Sequence, residues 1–121
     1  MAGRVVHFEI PIDEAERAGE FYRNVFGWKV EQWGDVDYWT ASGGSGDGAS
    51  GALTPRKSAP EGVLVYVSVD DIDATLDRVK QAGGAPLTAR MPIPSMGWSA
   101  QFRDSEGNQI GLFQHDPSVQ A

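Results

Sequence analysis

The chain has 121 residues, a length that suits one domain able to bury a core without disulfides or a structural metal. Hydrophobic residues make up 40% of it and charged residues 22%, a globular composition that excludes a disordered chain. The absence of cysteine excludes disulfides, zinc-thiolate sites and thiol nucleophiles, and the net charge of −7 argues against a nucleic-acid partner.

The first predicted element is the strand VVHFEIPID, residues 5–13. Alternation of side chains gives it one wholly apolar face, which consists of Val6, Phe8, Ile10 and Ile12. The opposite face carries His7 and Glu9. An imidazole and a carboxylate two residues apart could hold a metal, form an acid–base pair or face water, and the strand alone leaves these three possibilities open.

Two similar segments follow each other along the chain. Residues 8–30 align with residues 65–87 without a gap, and each has a β-rich run, an acidic residue, a helical pattern, glycine and a second apolar run. The first helix is predicted to begin at Asp13, in a capping box with Glu16, and to end at Gly27. The second is predicted to begin at Asp70 or Asp71 and to end at residues 83–84.

Three apolar runs with a period of two follow each predicted helix. They are residues 29–33, 38–41 and 51–53 in the first half, and residues 86–89, 98–102 and 109–113 in the second. Each half therefore reads β-α-β-β-β, with repeat one at 4–54, a linker at 55–62 and repeat two at 63–115. One helix on a small sheet is too little for stability, so we expect a single domain, residues 1–121.

The residues predicted to pack against the helices are Val6, Phe8, Ile10, Val65, Val67, Ile110 and Leu112.

The connecting segments have different characters. Residues 43–51, GGSGDGASG, are predicted to form a hairpin loop, since no Gly-Lys-Ser/Thr follows as in a phosphate-binding loop. DSEGN at 104–108 predicts a tight turn before the last strand. PIPSMGW at 92–98 predicts an apolar loop at the lip of a pocket or in an interface. The final residues, 115–121, are expected to fray.

Three stretches of this pattern resemble one known superfamily. They are AxxFYRNVFGW, DDIDATLDRVKQAGG and DSEGNQIGLF, and the two halves that contain them resemble the vicinal oxygen chelate superfamily of glyoxalases, bleomycin-resistance proteins and extradiol dioxygenases. The resemblance covers residue 5 to about residue 114. It implies an α+β fold in which two βαβββ repeats form a cupped mixed β-sheet around a cavity, with the helices outside, and it implies a homodimer.

The resemblance also implies a divalent metal, held by side chains from the first and last strand of each half. The corresponding positions here are His7, Gly51, Leu64 and Gly111. Only His7 has a side chain that binds metal, whereas a catalytic site needs about three protein ligands. The prediction is therefore a metal-free cavity without a cofactor. A rearranged metal site from His7, Glu9 and Gln109 is the alternative.

The cavity is predicted to lie over Gly51 and Gly111, because glycine within a strand often marks close approach by a ligand. His7 and Glu9 are the tentative catalytic pair, and the alternative is a structural histidine beside an exposed carboxylate. The remaining residues predicted to bind ligand are Trp39, Tyr66, Met96, Trp98, Gln101 and Phe113. Aromatic walls with a few polar groups suit a small organic ligand.

The leading functional hypothesis is a glyoxalase/bleomycin-resistance-like protein that binds a small organic molecule in this cavity. It would act by sequestration or by catalysis through His7 and Glu9, and the residues do not decide whether it is an enzyme. The alternatives are a metal-dependent lyase, isomerase or dioxygenase, and a non-catalytic interaction module. The N-terminus shows no signal peptide or membrane span, so we expect a cytoplasmic protein with no membrane partner. The homodimer is expected from the resemblance alone.

Overall fold

The computed structural model describes residues 3–43, 48–56 and 62–120. The chain divides into two compact units: a first unit, Val6–Leu64, and a second unit, Met1–Val5 with Val65–Ala121. Most of the predicted linker and the middle of the glycine-rich loop, residues 57–61 and 44–47, lie outside the described residues. The boundaries of the predicted repeats stay a prediction.

The first unit is built on a four-stranded mixed sheet. Its elements are β1 (Val5–Ile12), α1 (Ala15–Phe26), β2 (Lys29–Gln32), β3 (Trp39–Ser42) and β4 (Ser50–Pro55). The strands lie in the order β2-β3-β4-β1, and β1 runs parallel to β4 while the other neighbours are antiparallel. The chain of the first half therefore follows the predicted β-α-β-β-β order.

The second unit repeats this plan with one additional short strand. Its elements are β5 (Leu64–Ser68), α2 (Ile72–Gln81), β6 (Ala85–Pro86), β7 (Met91–Ile93), β8 (Gly97–Arg103) and β9 (Gln109–His115). The order is β5-β9-β8-β6, β7 also pairs with β8, and β5 runs parallel to β9. The predicted α+β class with two βαβββ halves is confirmed. Within the described residues, neither helix is long and apolar enough to span a bilayer.

The segment PIPSMGW, predicted as an apolar loop, instead forms the hairpin of β7 and β8. Pro92 pairs with Trp98, and Ile93 pairs with Gly97. Proline is rare within strands because it has no N–H to donate to a neighbouring strand. A short edge strand tolerates it because the N–H groups on its outer side have no strand to pair with.

The start of α1 also differs from the prediction. Glu14 occupies the N-cap position and its side chain makes no capping hydrogen bond. Asp13 is drawn away by Arg56, whose Nε lies 3.0 Å from Asp13 Oδ1. The predicted end is confirmed, because Gly27 adopts the left-handed conformation with φ of 70°.

The N-cap of α2 supports a first testable prediction. Asp71 Oδ1 accepts a hydrogen bond of 3.0 Å from the backbone N–H of Ala74, as the capping pattern predicted. Replacing Asp71 by alanine should lower the free energy of unfolding by about 1 kcal/mol, because that N–H loses its partner at the helix end. Urea denaturation measures the effect. Asp70→Ala is the matched control, and an equal loss in both variants would contradict the role of the cap.

Each helix packs on one face of its own unit's strands. The buried core beside α1 consists of Ile12, Val30, Ala41 and Leu53. The buried core beside α2 consists of Ile72, Leu76, Ala100 and Leu112. Phe8 and Val67 lie half-buried on these same faces, which is the register that the sequence predicted. We call this side of each unit the helix face, and the opposite side the helix-free face.

The last described residues do not fray, contrary to the prediction. Val119 is buried, and its carbonyl oxygen accepts a hydrogen bond of 2.8 Å from the Ser95 N–H. The Asp116 N–H donates to the Met96 carbonyl oxygen at 2.9 Å. A hydrogen bond from the Ser118 hydroxyl lowers the pKa of Asp116 below its ordinary value. The tail therefore holds the tip of the β7–β8 hairpin.

The turn at 104–108 forms as predicted around one carboxylate. Asp104 accepts hydrogen bonds from the backbone N–H groups of Asn108 and Glu106, each at 2.9 Å. The bonds from the backbone and side chain of Asn108 hold the pKa of Asp104 below its ordinary value. The turn sets the register in which β9 pairs with β8.

Candidate functional site

The helix-free face of the first unit carries the two residues that the first strand singled out. His7 and Glu9 alternate with Phe8 and Ile10 along β1, so their side chains leave the sheet on the side opposite α1. His7 Nε2 lies 3.4 Å from Glu9 Oε2, and the two side chains are 29% and 19% exposed. The pair is therefore half-buried yet open to a ligand.

A tyrosine that the sequence prediction missed completes this cluster. Tyr38 Oη lies 3.1 Å from His7 Nε2 and 3.5 Å from Glu9 Oε2. Tyr38 directly precedes β3, and its neighbour two residues on, Thr40, pairs across β3–β4 with Ala52, which in turn pairs with Glu9. The small side chain of Ala52 leaves room for the phenol to reach β1. We call His7, Glu9 and Tyr38 the imidazole cluster.

The chemistry of the imidazole cluster follows from its donors and acceptors. The phenol has one O–H to donate, the carboxylate only accepts, and the imidazole nitrogen accepts or donates according to its tautomer. Three polar atoms within 3.5 Å of one another can share protons and can bind a hydroxyl or carbonyl group of a ligand. The arrangement supports hydrogen bonding and general acid–base chemistry.

Gly51 does not lie beneath this cluster, so its predicted place was wrong. It pairs with Phe8 on β1, and a Cβ at this position would collide with the Phe8 ring on the helix face. The β4 residues that share the helix-free face are Ser50 and Ala52, which pair with His7 and Glu9. The repeat alignment was therefore one residue out of register on this strand.

The helix-free face of the second unit brings several other predicted residues together. Tyr66 pairs with Gly111, and Gly111 pairs with Gln101 on the next strand. Gln101 Nε2 lies 3.5 Å from Tyr66 Oη, and Gln109 Nε2 donates a hydrogen bond to Gln101 Oε1. We call Tyr66, Gln101 and Gln109 the amide chain. Phe113 lies on the same face, opposite Ser68 and Ser99.

Gly111 leaves no hollow on this face, contrary to the prediction. A Cβ at position 111 would collide with the ring of Tyr66, which already covers the glycine. The glycine therefore allows the aromatic ring to lie flat against the sheet. Position 111 serves the placement of Tyr66 rather than direct contact with a ligand.

Three further residues predicted to touch ligand lie elsewhere. Trp39 packs half-buried on the core beside α1, and Trp98 packs on the core beside α2. The guanidinium of Arg90 lies 4.1 Å from the centre of the Trp98 ring. Met96 lies exposed at the tip of the β7–β8 hairpin. Alternation along β3 and β8 puts both tryptophans on the helix faces, which the sequence prediction did not resolve.

A surface cavity of about 390 Å³ lies in the second unit, between α2 and the segment before β7. It is lined by Asp73, Leu76, Asp77, Lys80, Pro86, Leu87, Thr88 and Ala89. None of the predicted site residues borders it. The imidazole cluster is the candidate site because its three polar atoms lie within 3.5 Å of one another on a half-buried face.

The described residues do not fit the metal site that the resemblance implies. Within residues 3–43, 48–56 and 62–120, no three histidine, aspartate or glutamate side chains come together as metal ligands. His7 and Glu9 supply two donors on one strand, while the neighbouring β4 residue on that face is Ala52. Gln109, the third residue of the alternative metal site, donates to Gln101 Oε1. A catalytic centre with three protein ligands is not assembled from these side chains.

Comparisons with known proteins agree with the fold. The chain is 30% identical over 115 residues to a glyoxylase-like domain-containing protein of Didymella fabae, covering 88% of this chain and 89% of that protein. It is 29% identical over 128 residues to a protein of Vibrio cholerae named a probable lactoylglutathione lyase, covering 93% and 91%. It spans only 46% of the length of CFP32, a Mycobacterium tuberculosis protein named as a glyoxylase.

A solved structure shows the same architecture. Methylmalonyl-CoA epimerase from Mycobacterium tuberculosis superposes with a TM-score of 0.67 at 20% identity, covering 95% of this chain and 89% of that one. At that identity the likeness concerns the fold. The family described as Glyoxalase/Bleomycin resistance protein/Dioxygenase superfamily matches residues 4–112, nearly the whole chain. This chain therefore belongs to the glyoxalase/bleomycin resistance protein/dioxygenase superfamily.

Proposed function

We propose that this protein binds a small carbonyl compound at the imidazole cluster, without a divalent metal. The observation that carries the proposal is the placement of Tyr38 Oη, 3.1 Å from His7 Nε2 and 3.5 Å from Glu9 Oε2, on a half-buried sheet face. The names of similar proteins point to lactoylglutathione and methylmalonyl-CoA, and both compounds contain a thioester carbonyl. A carbonyl oxygen is an acceptor that a phenol O–H can bind.

The same atoms could also move a proton, which would make the protein an enzyme. Glu9 would accept a proton from the carbon next to the carbonyl, and the electron pair would move to the carbonyl oxygen. Tyr38 would donate a hydrogen bond to that oxygen while His7 holds the phenol in place. Without the proton transfer, the same contacts would sequester the compound.

The hydroxyl of Tyr38 is the group to remove first. Tyr38→Phe should weaken binding of S-lactoylglutathione or methylmalonyl-CoA about tenfold, because one hydrogen bond to the ligand is lost. Calorimetry on protein treated with a chelator measures the affinity. Tyr22→Phe is the matched control, since Tyr22 stacks on Trp28 with ring centres 5.0 Å apart on the helix side. Equal loss in both variants would contradict the proposal.

The same titrations separate the alternatives. Exchange of the proton next to the carbonyl in heavy water, lost in Glu9→Gln, would identify an enzyme rather than a sequestering protein. Binding that requires added nickel, zinc or manganese and disappears in His7→Ala would favour the metal-dependent reading. Binding of neither compound, nor of bleomycin, would favour an interaction module. The homodimer and the cytoplasmic location stay predictions.

A further inference from the structure

We propose that the surface cavity of the second unit binds a zwitterionic α-amino acid with an apolar side chain. The cavity measures about 390 Å³, within the range of small-molecule sites, and its lining comes from α2 and residues 86–89. The described lining includes no residue of the imidazole cluster or of the amide chain. The proposal therefore concerns a different ligand and does not rest on the proposed function.

The wall of the cavity opposite α2 is held in place by the backbone. A Cβ at Gly84 would lie 2.5 Å from the Arg103 carbonyl oxygen, so glycine lets the chain before β6 approach β8 closely. The N–H groups of Leu87 and Thr88 donate to the Gln101 carbonyl oxygen at 2.9 and 3.2 Å. This wall is therefore formed before a ligand arrives, which reduces the ordering cost of binding.

One stripe of α2 presents two carboxylates and an ammonium to the cavity. Asp73 and Asp77 are one helical turn apart, about 6 Å along the axis, and Lys80 follows three residues later. Asp77 Oδ1 lies 3.8 Å from Lys80 Nζ, and Asp73 Oδ2 lies 3.8 Å from Arg90 Nε. Both distances exceed the length of a hydrogen bond, so a ligand ammonium can approach the two carboxylates more closely than these partners do.

The polar groups of the lining match the two charges of an amino acid. Its ammonium has three hydrogens to donate, which suits the acceptor oxygens of Asp73 and Asp77. Its carboxylate needs donors, and Lys80 supplies one. The Thr88 hydroxyl accepts from the Gln101 N–H at 3.0 Å, so its own hydrogen is left to donate to the same carboxylate. A ligand with only one of the two charges would satisfy one half of this lining.

The rest of the lining is apolar and favours a ligand with an apolar side chain. Leu76 is buried on α2, and Pro86, Leu87 and Ala89 lie on the opposite wall. Leu87 is 43% exposed, so a ligand side chain that covers it removes apolar surface from water. Free glycine has no side chain to cover this wall. The cavity therefore favours an amino acid such as phenylalanine or leucine.

Three probes with the same phenyl group test the proposal: L-phenylalanine, phenethylamine, which lacks the carboxylate, and phenylpropionate, which lacks the ammonium. Titration of isotope-labelled protein, followed by the backbone amide signals of Asp77 and Thr88 in NMR spectra, measures each affinity. We expect L-phenylalanine to bind at least about tenfold more tightly than either truncated probe, because each probe loses a charge-assisted hydrogen bond. Free glycine should also bind more weakly than L-phenylalanine.

Two variants of the cavity separate the two charges. Asp77→Asn should remove most of the advantage of L-phenylalanine over phenylpropionate, and Lys80→Gln should remove most of its advantage over phenethylamine. Glu14→Gln and Arg17→Gln are the matched controls. They change an acidic and a basic residue with the same three-residue spacing on α1, 3.2 Å apart and outside the cavity. These controls should leave the affinity for L-phenylalanine unchanged.

Several results would overturn the proposal. Phenylpropionate or phenethylamine that binds as tightly as L-phenylalanine would reduce the site to one for a simple anion or a simple cation. Affinity unchanged in both Asp77→Asn and Lys80→Gln would place the ligand outside the cavity, as would unchanged amide signals at Asp77 and Thr88. Equal loss in the α1 controls would indicate a general effect of surface charge. The thermal unfolding transition of each variant checks that it is folded.

Discussion

Replacing Gly51 by alanine is expected to lower the free energy of unfolding by about 3 kcal/mol, the upper end of the usual cost of overpacking. A Cβ built at this position lies 2.5 Å from the Phe8 carbonyl oxygen and also collides with the Phe8 ring. The carbonyl belongs to β1, which pairs with β4 at this point, so relief requires a shift of one strand against the other. Urea denaturation of the purified protein measures the loss.

Gly48→Ala provides the control for that measurement. A Cβ at Gly48 meets no described atom within 4 Å, so the change should leave stability within about 0.5 kcal/mol. If Gly51→Ala proves as stable as Gly48→Ala, the close pairing of β1 with β4 is incorrect. The same result would support the prediction that a cavity lies over Gly51.

Leu53→Ala is expected to cost about 2–5 kcal/mol, the range for truncating a fully buried leucine. Leu53 is 0% exposed and pairs with Ile10 in the core beside α1. Its loss removes apolar contacts and leaves a cavity that the surrounding strands fill only in part. Thermal and urea unfolding should both show the change.

Leu87→Ala is the matched exposed leucine, since its side chain is 43% accessible. It should cost less than about 1 kcal/mol because little apolar surface is returned to water. A loss from Leu53→Ala no greater than that from Leu87→Ala would mean that β4 does not form the centre of this core.

Much of the fold could be predicted from local sequence patterns. Alternation along residues 5–12 gave the two faces of β1, because successive side chains on a strand point to opposite sides. The αL conformation of Gly27 and the cap at Asp71 could be predicted because helix ends leave backbone N–H and C=O groups that need hydrogen-bond partners. The start of α1 could not be read in this way, because Asp13 pairs with Arg56, which is distant in sequence.

The sequence alone did not determine the register in which neighbouring strands pair. A shift of one residue on β4 exchanges Gly51 for Ala52 on the helix-free face, and glycine carries no side chain that would reveal the error. For the same reason, the sequence did not predict that Trp39 and Trp98 lie on the helix faces. Apolar aromatic residues suit a core and a ligand pocket equally well, so composition does not distinguish the two.

The amino-acid sequence by itself determined the α+β class, the doubled β-α-β-β-β order and the presence of His7 and Glu9 on one strand face, because these depend on local periodicity. Only the tertiary structure decided that Tyr38 joins them, since the β3-β4-β1 order brings together residues 31 positions apart in the chain. It likewise decided that Gln101, Gln109 and Tyr66 form one chain. Contacts across strands depend on pairing and register, which distant residues set jointly.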